Sequence, residues 1–95
     1  MVEVSSGTIV SIPIKTQEKG AFPNESYIYT EADGMEISGF IDNDFVEDNG
    51  NAIVGVVVNT EDDKIIIRFN GDLNKSTTVV SRTWFSKNAK KLELR

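Results

Sequence analysis

The hydrophobic and polar positions of the chain are organised around one stretch, Ala52 to Phe69, which reads AIVGVVVNTEDDKIIIRF. Two runs rich in valine and isoleucine flank the polar loop Asn59 to Asp63. Side chains that branch at Cβ are restricted in χ1 and pack well on a pleated surface. Because neither run strictly alternates apolar with polar residues, we expect both arms to be covered on two faces. The pattern predicts a long β-hairpin at the centre of a small sheet.

Upstream of this hairpin, the pattern predicts three further strands. Gly7 to Ile14 reads as a first strand that ends near Pro13, because proline has no backbone N–H to donate. Tyr27 to Thr30 and Met35 to Ile41 read as a second hairpin, since the Asp33-Gly34 pair between them is a strong turn signal. In the first of these two strands, the tyrosines at 27 and 29 share one face.

Two segments interrupt the apolar pattern. Lys15 to Ser26 is polar and is predicted to be a long loop. We expect Phe22, within it, to fold back onto the core, with an exposed contact role as the alternative. Gly55 interrupts the first arm of the central hairpin, where it predicts a bulge or a tight bend.

The last quarter of the chain alternates short apolar segments with turn signals. Asn70-Gly71-Asp72 predicts a turn, and Thr77 to Ser81 predicts a short strand. Arg82 to Ala89 predicts one short helical turn, and Lys91 to Leu94 predicts a closing strand. We therefore expect a mainly β fold over residues 1–95, a small single-domain barrel of the SH3-like type. An OB-like barrel and a two-sheet sandwich are the alternatives.

Composition narrows the chemistry that the chain can perform. The 95 residues include no cysteine and no histidine, which removes the thiolate nucleophile, the commonest general base and the commonest metal ligand. The acidic segment 42–51 departs from the EF-hand pattern at Val46 and Glu47. We therefore expect a protein that is not an enzyme and has no metal or cofactor. Without a long apolar run or a signal-peptide pattern, we expect it to be cytoplasmic and to have no membrane partner.

Charge is unevenly distributed along the chain. Residues 1–63 carry thirteen Asp and Glu against two Lys, a net charge of −11. Residues 64–95 carry eight Lys and Arg against two acids, a net charge of +6. The two halves either neutralise each other across the fold or create surfaces of opposite sign.

The favoured functional hypothesis is an acidic binding module that contacts a partner protein through two loops. The acidic candidates are Asp42, Asp44, Glu47, Asp48, Glu61, Asp62 and Asp63, and the apolar anchors are Phe22, Phe45 and Val46. Acidic side chains accelerate encounter with a basic partner, and apolar anchors hold the complex. Such a module would modulate or inhibit the partner. It could do so as a nucleic-acid mimic, because carboxylates can occupy a basic groove in place of phosphates.

Two alternatives use other parts of the chain. A nucleic-acid-binding barrel would use Arg68, Arg82, Trp84, Lys87, Lys90 and Lys91, with bases stacked on the ring and phosphates paired with the cations. The net charge of −5 opposes this reading, as does the prior that a lone tryptophan belongs to the core. The other alternative is a structural subunit that forms a homo-oligomer through an exposed strand edge.

Overall fold

The computed structural model describes residues 4–20, 22–47 and 51–92. Its strands are β1 (Ile9–Pro13), β2 (Thr16–Lys19), β3 (Glu25–Ala32), β4 (Met35–Asp42), β5 (Val46–Glu47), β6 (Ala52–Glu61), β7 (Lys64–Phe69), β8 (Gly71–Leu73), β9 (Thr77–Ser81) and β10 (Lys90–Lys91). A 3-10 helix covers Asn43–Phe45, and helix α1 covers Arg82–Asn88. The mainly β prediction is confirmed. The described strands form two sheets and do not close into one barrel, so the SH3-like arrangement is not shown.

The first sheet has the strand order β10-β1-β6-β7-β9, with β5 also paired to β6. Its centre is the antiparallel β6–β7 hairpin that the sequence predicts. The strands continue further than expected, so that only Asp62 and Asp63 remain in the turn. The predicted irregularity at Gly55 is wrong, because the register shifts between Val57 and Asn59 instead. Gly55 is buried and makes room for the Phe69 ring, which a Cβ there would approach to 2.8 Å.

The second sheet has the strand order β2-β3-β4-β8. The predicted β3–β4 hairpin is confirmed, with a turn in which Asp33 (φ 52°) and Gly34 (φ 84°) both adopt positive φ. This turn type matches the right-handed twist of the strands, and Asp-Gly accommodates it at low cost.

Two expectations based on turn or loop residues are wrong. The predicted loop Lys15 to Ser26 contains β2, which pairs with β3 although all four of its residues are exposed. The predicted turn Asn70-Gly71-Asp72 contains the start of β8, which pairs with β4. In both places the chain passes from the first sheet to the second, and pairing with a neighbouring strand decides the conformation. The closing strand is observed at Lys90–Lys91, and part of the predicted Lys91 to Leu94 lies outside the described residues.

The core lies between the two sheets and is almost entirely aliphatic. Its buried side chains are Val10, Ile12, Ile28, Ala32, Ile37, Ile41, Ile53, Val57, Ile65, Ile67, Phe69, Val80 and Phe85. Each fully buried Val, Ile or Phe contributes about 1.5–3 kcal/mol of transfer free energy. Phe85 comes from α1 and is 1% exposed, whereas Trp84 packs against the core and stays partly exposed.

Two turns meet at the beginning of α1. The Ser81 hydroxyl caps the helix by accepting the Trp84 N–H at 3.0 Å. The Ser81 N–H donates to the Asp33 carboxylate at 2.7 Å. Arg82 donates from Nε to the Asp62 carbonyl and from its backbone N–H to the Asp63 carbonyl, each at 2.7 Å. The helix start therefore joins the β3–β4 turn of the second sheet to the β6–β7 turn of the first.

Candidate partner-binding face

The outer surface of the second sheet follows from strict alternation along β3. Four residues of β3 are buried toward the core, Ser26, Ile28, Thr30 and Ala32, and the residues between them are partly exposed. Successive strand side chains point to opposite sides of a sheet. Glu25, Tyr27, Tyr29 and Glu31 therefore project outward together. The expectation that the two tyrosines share one face is confirmed.

Strand register extends this outward set across the sheet. Directly opposed residues share a face, and β4 places Asp42 opposite Glu25, Phe40 opposite Tyr27 and Glu36 opposite Glu31. Strand β2 adds Glu18 opposite Tyr27, and β8 adds Asp72 opposite Phe40. We call the resulting surface the acidic–aromatic face; it consists of Glu18, Glu25, Tyr27, Tyr29, Glu31, Glu36, Phe40, Asp42 and Asp72.

Three aromatic rings form the centre of the acidic–aromatic face. The Tyr27 and Phe40 rings have centroids 5.3 Å apart and an interplanar angle of 68°, an edge-to-face pair. Tyr29 lies two residues further along β3, and all three rings are partly exposed. Aromatic rings of this kind offer apolar contact area and attract cations to their faces.

Carboxylates surround the rings, and most of them have no cationic neighbour. Glu25 opposes Asp42 and Glu31 opposes Glu36, and like charges directly opposed across strands are destabilising. In the described part of the chain, the one ion pair joins Lys15 Nζ to Glu31 Oε2 at 3.4 Å, with both side chains well exposed. A surface pair of this kind contributes little stability. The face therefore retains a strong negative charge.

Tyr29 reports this electrostatic environment directly. Its hydroxyl donates a long hydrogen bond of 3.4 Å to Glu36 Oε1. Partial desolvation, followed by the negative charges of Glu36 and Glu31, raises the pKa of Tyr29 above its ordinary value of 10.0. A phenolate next to two carboxylates is disfavoured, so the tyrosine keeps its proton.

Only one of the seven acidic residues predicted as a site, Asp42, belongs to the acidic–aromatic face. Asp44 follows it in the 3-10 helix and donates its N–H to the Asp42 carboxylate at 2.8 Å. Glu47 ends β5 and pairs with Ala52, and Asp48 lies outside the described residues. Glu61, Asp62 and Asp63 lie at the far end of β6. Nine residue steps of strand separate Ala52 from Glu61, which is about 30 Å. The two predicted acidic loops do not lie together.

The predicted apolar anchors differ in accessibility. Phe45 and Val46 pack against the core and are only partly exposed. Phe22 is 65% exposed, so the expectation that it folds onto the core is wrong. It lines an open cleft of about 600 Å³ together with Glu25 and Asn43. Phe22 therefore lies beside the Glu25–Asp42 end of the acidic–aromatic face.

The residues of the nucleic-acid alternative are dispersed. Lys90 and Lys91 lie on β10, and Arg68 lies on β7, three strand spacings or about 14 Å away in the first sheet. Arg82 is bonded to the Asp62 carbonyl and is surrounded by acidic turns. The Trp84 ring lines a cavity of about 230 Å³ with Lys15 and Asp33. Lys87 lies on α1, exposed to solvent.

Comparisons with known proteins do not assign a function to the chain. No family model matches the chain, and no curated protein or solved structure matches it. In the described part of the chain, no group of three or more acidic side chains is arranged to hold a metal ion. Neither described helix has the length and apolar character that a membrane crossing requires.

Proposed function

We propose that the protein is a non-enzymatic binding module that modulates or inhibits a partner protein with a basic surface, and that it binds through the acidic–aromatic face. The observation that carries the proposal is the arrangement of six carboxylates around three partly exposed rings on one side of one sheet. The proposed site therefore lies on the outer surface of the second sheet and not in the two acidic loops that the sequence favours.

Two features of the face support a basic partner. Arginine and lysine side chains can pair with the carboxylates and also stack on the rings, so one cation can satisfy both. The directly opposed acids, Glu25 with Asp42 and Glu31 with Glu36, repel each other in the free protein. A bound cation removes that repulsion, which favours the complex over the free state.

A nucleic-acid mimic is the more specific form of this proposal. Carboxylates on adjacent strands form rows at strand spacing, about 4.8 Å, and could occupy a surface that normally contacts phosphates. A partner of this kind would be displaced by salt. An interaction that neutralises several charges weakens steeply as the salt concentration rises.

The test uses a short peptide rich in Arg and Lys, titrated into the full chain by calorimetry at low and at high salt. The face variant carries Glu18→Gln, Glu36→Gln and Asp72→Asn, three exposed acids of the acidic–aromatic face. We expect its affinity to fall by about tenfold or more at low salt, since each lost close contact is worth on the order of 0.5–1 kcal/mol. The wild-type affinity should fall at high salt.

The matched control carries Glu47→Gln, Asp62→Asn and Asp63→Asn, which changes the net charge equally but alters exposed acids outside the face. We expect its affinity to stay close to wild type. If the control loses as much affinity as the face variant, binding depends on overall charge and the proposal is wrong. If only the control loses affinity, the binding site lies in the acidic loops.

At the level of the fold, an SH3-like arrangement stays a proposal. Its support is that the chain passes from one sheet to the other within two residues at Ile14–Lys15 and within one residue at Asn70. Strands β3 and β9, from different sheets, also approach each other. Backbone NOEs between β3 and β9 would support closure of the barrel, and a solution spectrum without them would contradict it.

A further inference from the structure

The outer face of the first sheet has an aliphatic centre, in contrast to that of the second. Along β7, Ile65, Ile67 and Phe69 are buried, so that Lys64, Ile66 and Arg68 alternate outward. Cross-strand register places Val79 opposite Ile66, Val56 opposite Arg68 and Ile9 opposite Val56. We call this surface the aliphatic face; its members are Ile9, Val54, Val56, Val58, Ile66 and Val79.

Three of these side chains are exposed to an unusual degree. Val56 and Val58 are each 40% exposed, and Val79 is 44% exposed. Of the five large hydrophobic side chains that are exposed in the described part of the chain, three lie on this one face. Apolar side chains that are grouped in this way mark an interaction surface, whereas single exposed ones are ordinary.

We infer that the aliphatic face is an interface between two copies of this chain. A sheet face of branched side chains packs well against another such face, about 10 Å away, with the side chains interdigitated. The acidic–aromatic faces would then lie on the two outer sides of the pair, so that their negative charges stay far apart. This is a face-to-face contact, unlike the edge pairing considered from the sequence.

The charges at the rim of the face select one arrangement. Glu61 and Lys64 lie at one end of the β6–β7 hairpin, and Arg68 lies at the other end, with Ile66 midway between Lys64 and Arg68. A two-fold axis that lies in the plane of the contact and runs parallel to the strands, midway between β6 and β7, lays β6 of one copy over β7 of the other. That rotation keeps each residue at its level along the strands, so each Lys64 lies over Glu61 of the second copy.

A two-fold axis perpendicular to the strands, through Ile66, would instead bring Arg68 over Lys64 of the second copy, and these like charges repel each other. In the described part of the chain, Glu61 and Lys64 have no ion-pair partner within 4.0 Å, so both are available for the contact. Charge complementarity therefore favours the axis along the strands over the perpendicular one.

The size of the face sets the expected strength. The four strands of the face, spaced about 4.8 Å apart, give a width of roughly 20 Å. The length from Val54 to the rim at Glu61 is roughly 25 Å, so each copy contributes about 500 Å². The total is near the lower limit for a specific interface, where association is weak. We therefore expect a dimer that dissociates on dilution through the micromolar range.

Sedimentation velocity of the full chain from about 10 µM to about 1 mM tests the inference. We expect the average mass to rise from 10.5 kDa toward twice that value. Val56→Lys should raise the dissociation constant by about tenfold or more, because a charge replaces buried apolar area. The matched control is Met35→Lys, which adds the same charge at a side chain 38% exposed on the other sheet and should have no such effect.

A charge exchange tests the arrangement itself. Lys64→Glu should weaken the dimer, because two glutamates would then face each other, and adding Glu61→Lys should restore it. A wild-type chain that stays monomeric throughout, equal effects of Val56→Lys and Met35→Lys, or growth beyond two copies would each overturn the inference. Failure of the double exchange to restore the dimer would overturn the two-fold register. Peptide titration of the Val56→Lys monomer keeps the two proposals distinct, because binding through the acidic–aromatic face should be unchanged.

Discussion

The outer surfaces of the two sheets differ more than their inner surfaces, which are both mainly aliphatic. Toward the core, the first sheet presents valine, isoleucine and Phe69, and the second presents isoleucine and alanine together with Ser26 and Thr30. Toward solvent, the second sheet presents six carboxylates and three rings, and the first presents branched aliphatic side chains. The inward-facing side chains of each strand pack the two sheets together, so the outward-facing side chains are free to differ between the sheets. The choice of partner therefore depends on the outward-facing side chains.

The comparison also shows where acidic residues of the negatively charged part of the chain lie in the fold. Five of the six acids of the acidic–aromatic face come from residues 18–42, and Asp72 joins them because β8 pairs with β4. The cations of residues 64–95 do not neutralise this face in the described part of the chain, where Lys15–Glu31 is the ion pair found. Surfaces of different character thus arise from a charge pattern along the chain.

The largest expected effect comes from breaking the junction through which β8 joins the second sheet. Gly39 has φ +143°, and a Cβ there would lie 2.3 Å from the Asp72 carbonyl oxygen. We expect Gly39→Ala to lower the free energy of unfolding by about 2–4 kcal/mol, through strain and displacement of β8. Urea unfolding followed by tryptophan fluorescence measures the change.

The control for this substitution is Gly34→Ala. Gly34 also has positive φ, +84°, but no atom lies within 4 Å of the position its Cβ would take. Its cost should therefore be the backbone strain alone, about 1–2 kcal/mol. If the two variants are equally stable, the contact of the new Cβ with β8 adds nothing to the cost of Gly39→Ala.

A smaller effect on stability, of opposite sign, is expected from neutralising one acid of the acidic–aromatic face. Glu25→Gln removes one of two directly opposed acids and should raise the free energy of unfolding by about 0.2–1 kcal/mol at neutral pH and low salt. The same change should weaken binding of a basic peptide, because repulsion in the free protein is part of what the peptide relieves. Chemical unfolding and calorimetry on one sample measure both.

Glu47→Gln is the matched control, because Glu47 is exposed and lies opposite Ala52. It should leave stability nearly unchanged. The gain from Glu25→Gln should also shrink at high salt, where charges on the surface are screened. A gain that persists at 1 M salt would show that the Glu25–Asp42 repulsion is not its cause.

The smallest expected effect is spectroscopic. The raised pKa of Tyr29 should return toward 10.0 in Glu36→Gln, because one of the charges that disfavour the phenolate is lost. Absorbance at alkaline pH follows the titration, with Tyr29→Phe identifying the signal. Above pH 10.0 the unfolded chain loses this proton first, so wild-type stability should fall as pH rises from there through the folded pKa. An unchanged titration in Glu36→Gln would show that Glu36 does not contribute to the raised pKa.

Local signals in the sequence were enough to predict the two hairpins. Asp33-Gly34 and the branched runs of β6 and β7 specify turn and strands without reference to distant residues. Strand β2, with the sequence TQEK, has no apolar face, and its conformation comes from pairing with β3. Strand β8 begins in residues typical of a turn. In both cases a distant strand overrides local preference.

The candidate site was harder to predict, because it depends on register. The alternation of Glu25, Tyr27, Tyr29 and Glu31 was visible in the sequence, and it is the signal that could have indicated a chemically distinct face. The phase of β4 was not, since Gly39 and Phe40 fit either side. Only the pairing of Phe40 with Tyr27 shows that acids from four strands surround the same rings.

The bonds at the start of α1 have a mechanical consequence. One carboxylate and two carbonyls, from Asp33, Asp62 and Asp63, hold the turns of both sheets to Ser81 and Arg82. Sliding one sheet over the other would first have to rupture these bonds. The bonds therefore fix the position of one sheet relative to the other. In a dimer joined through the aliphatic faces, the two acidic–aromatic faces would be held at a constant separation.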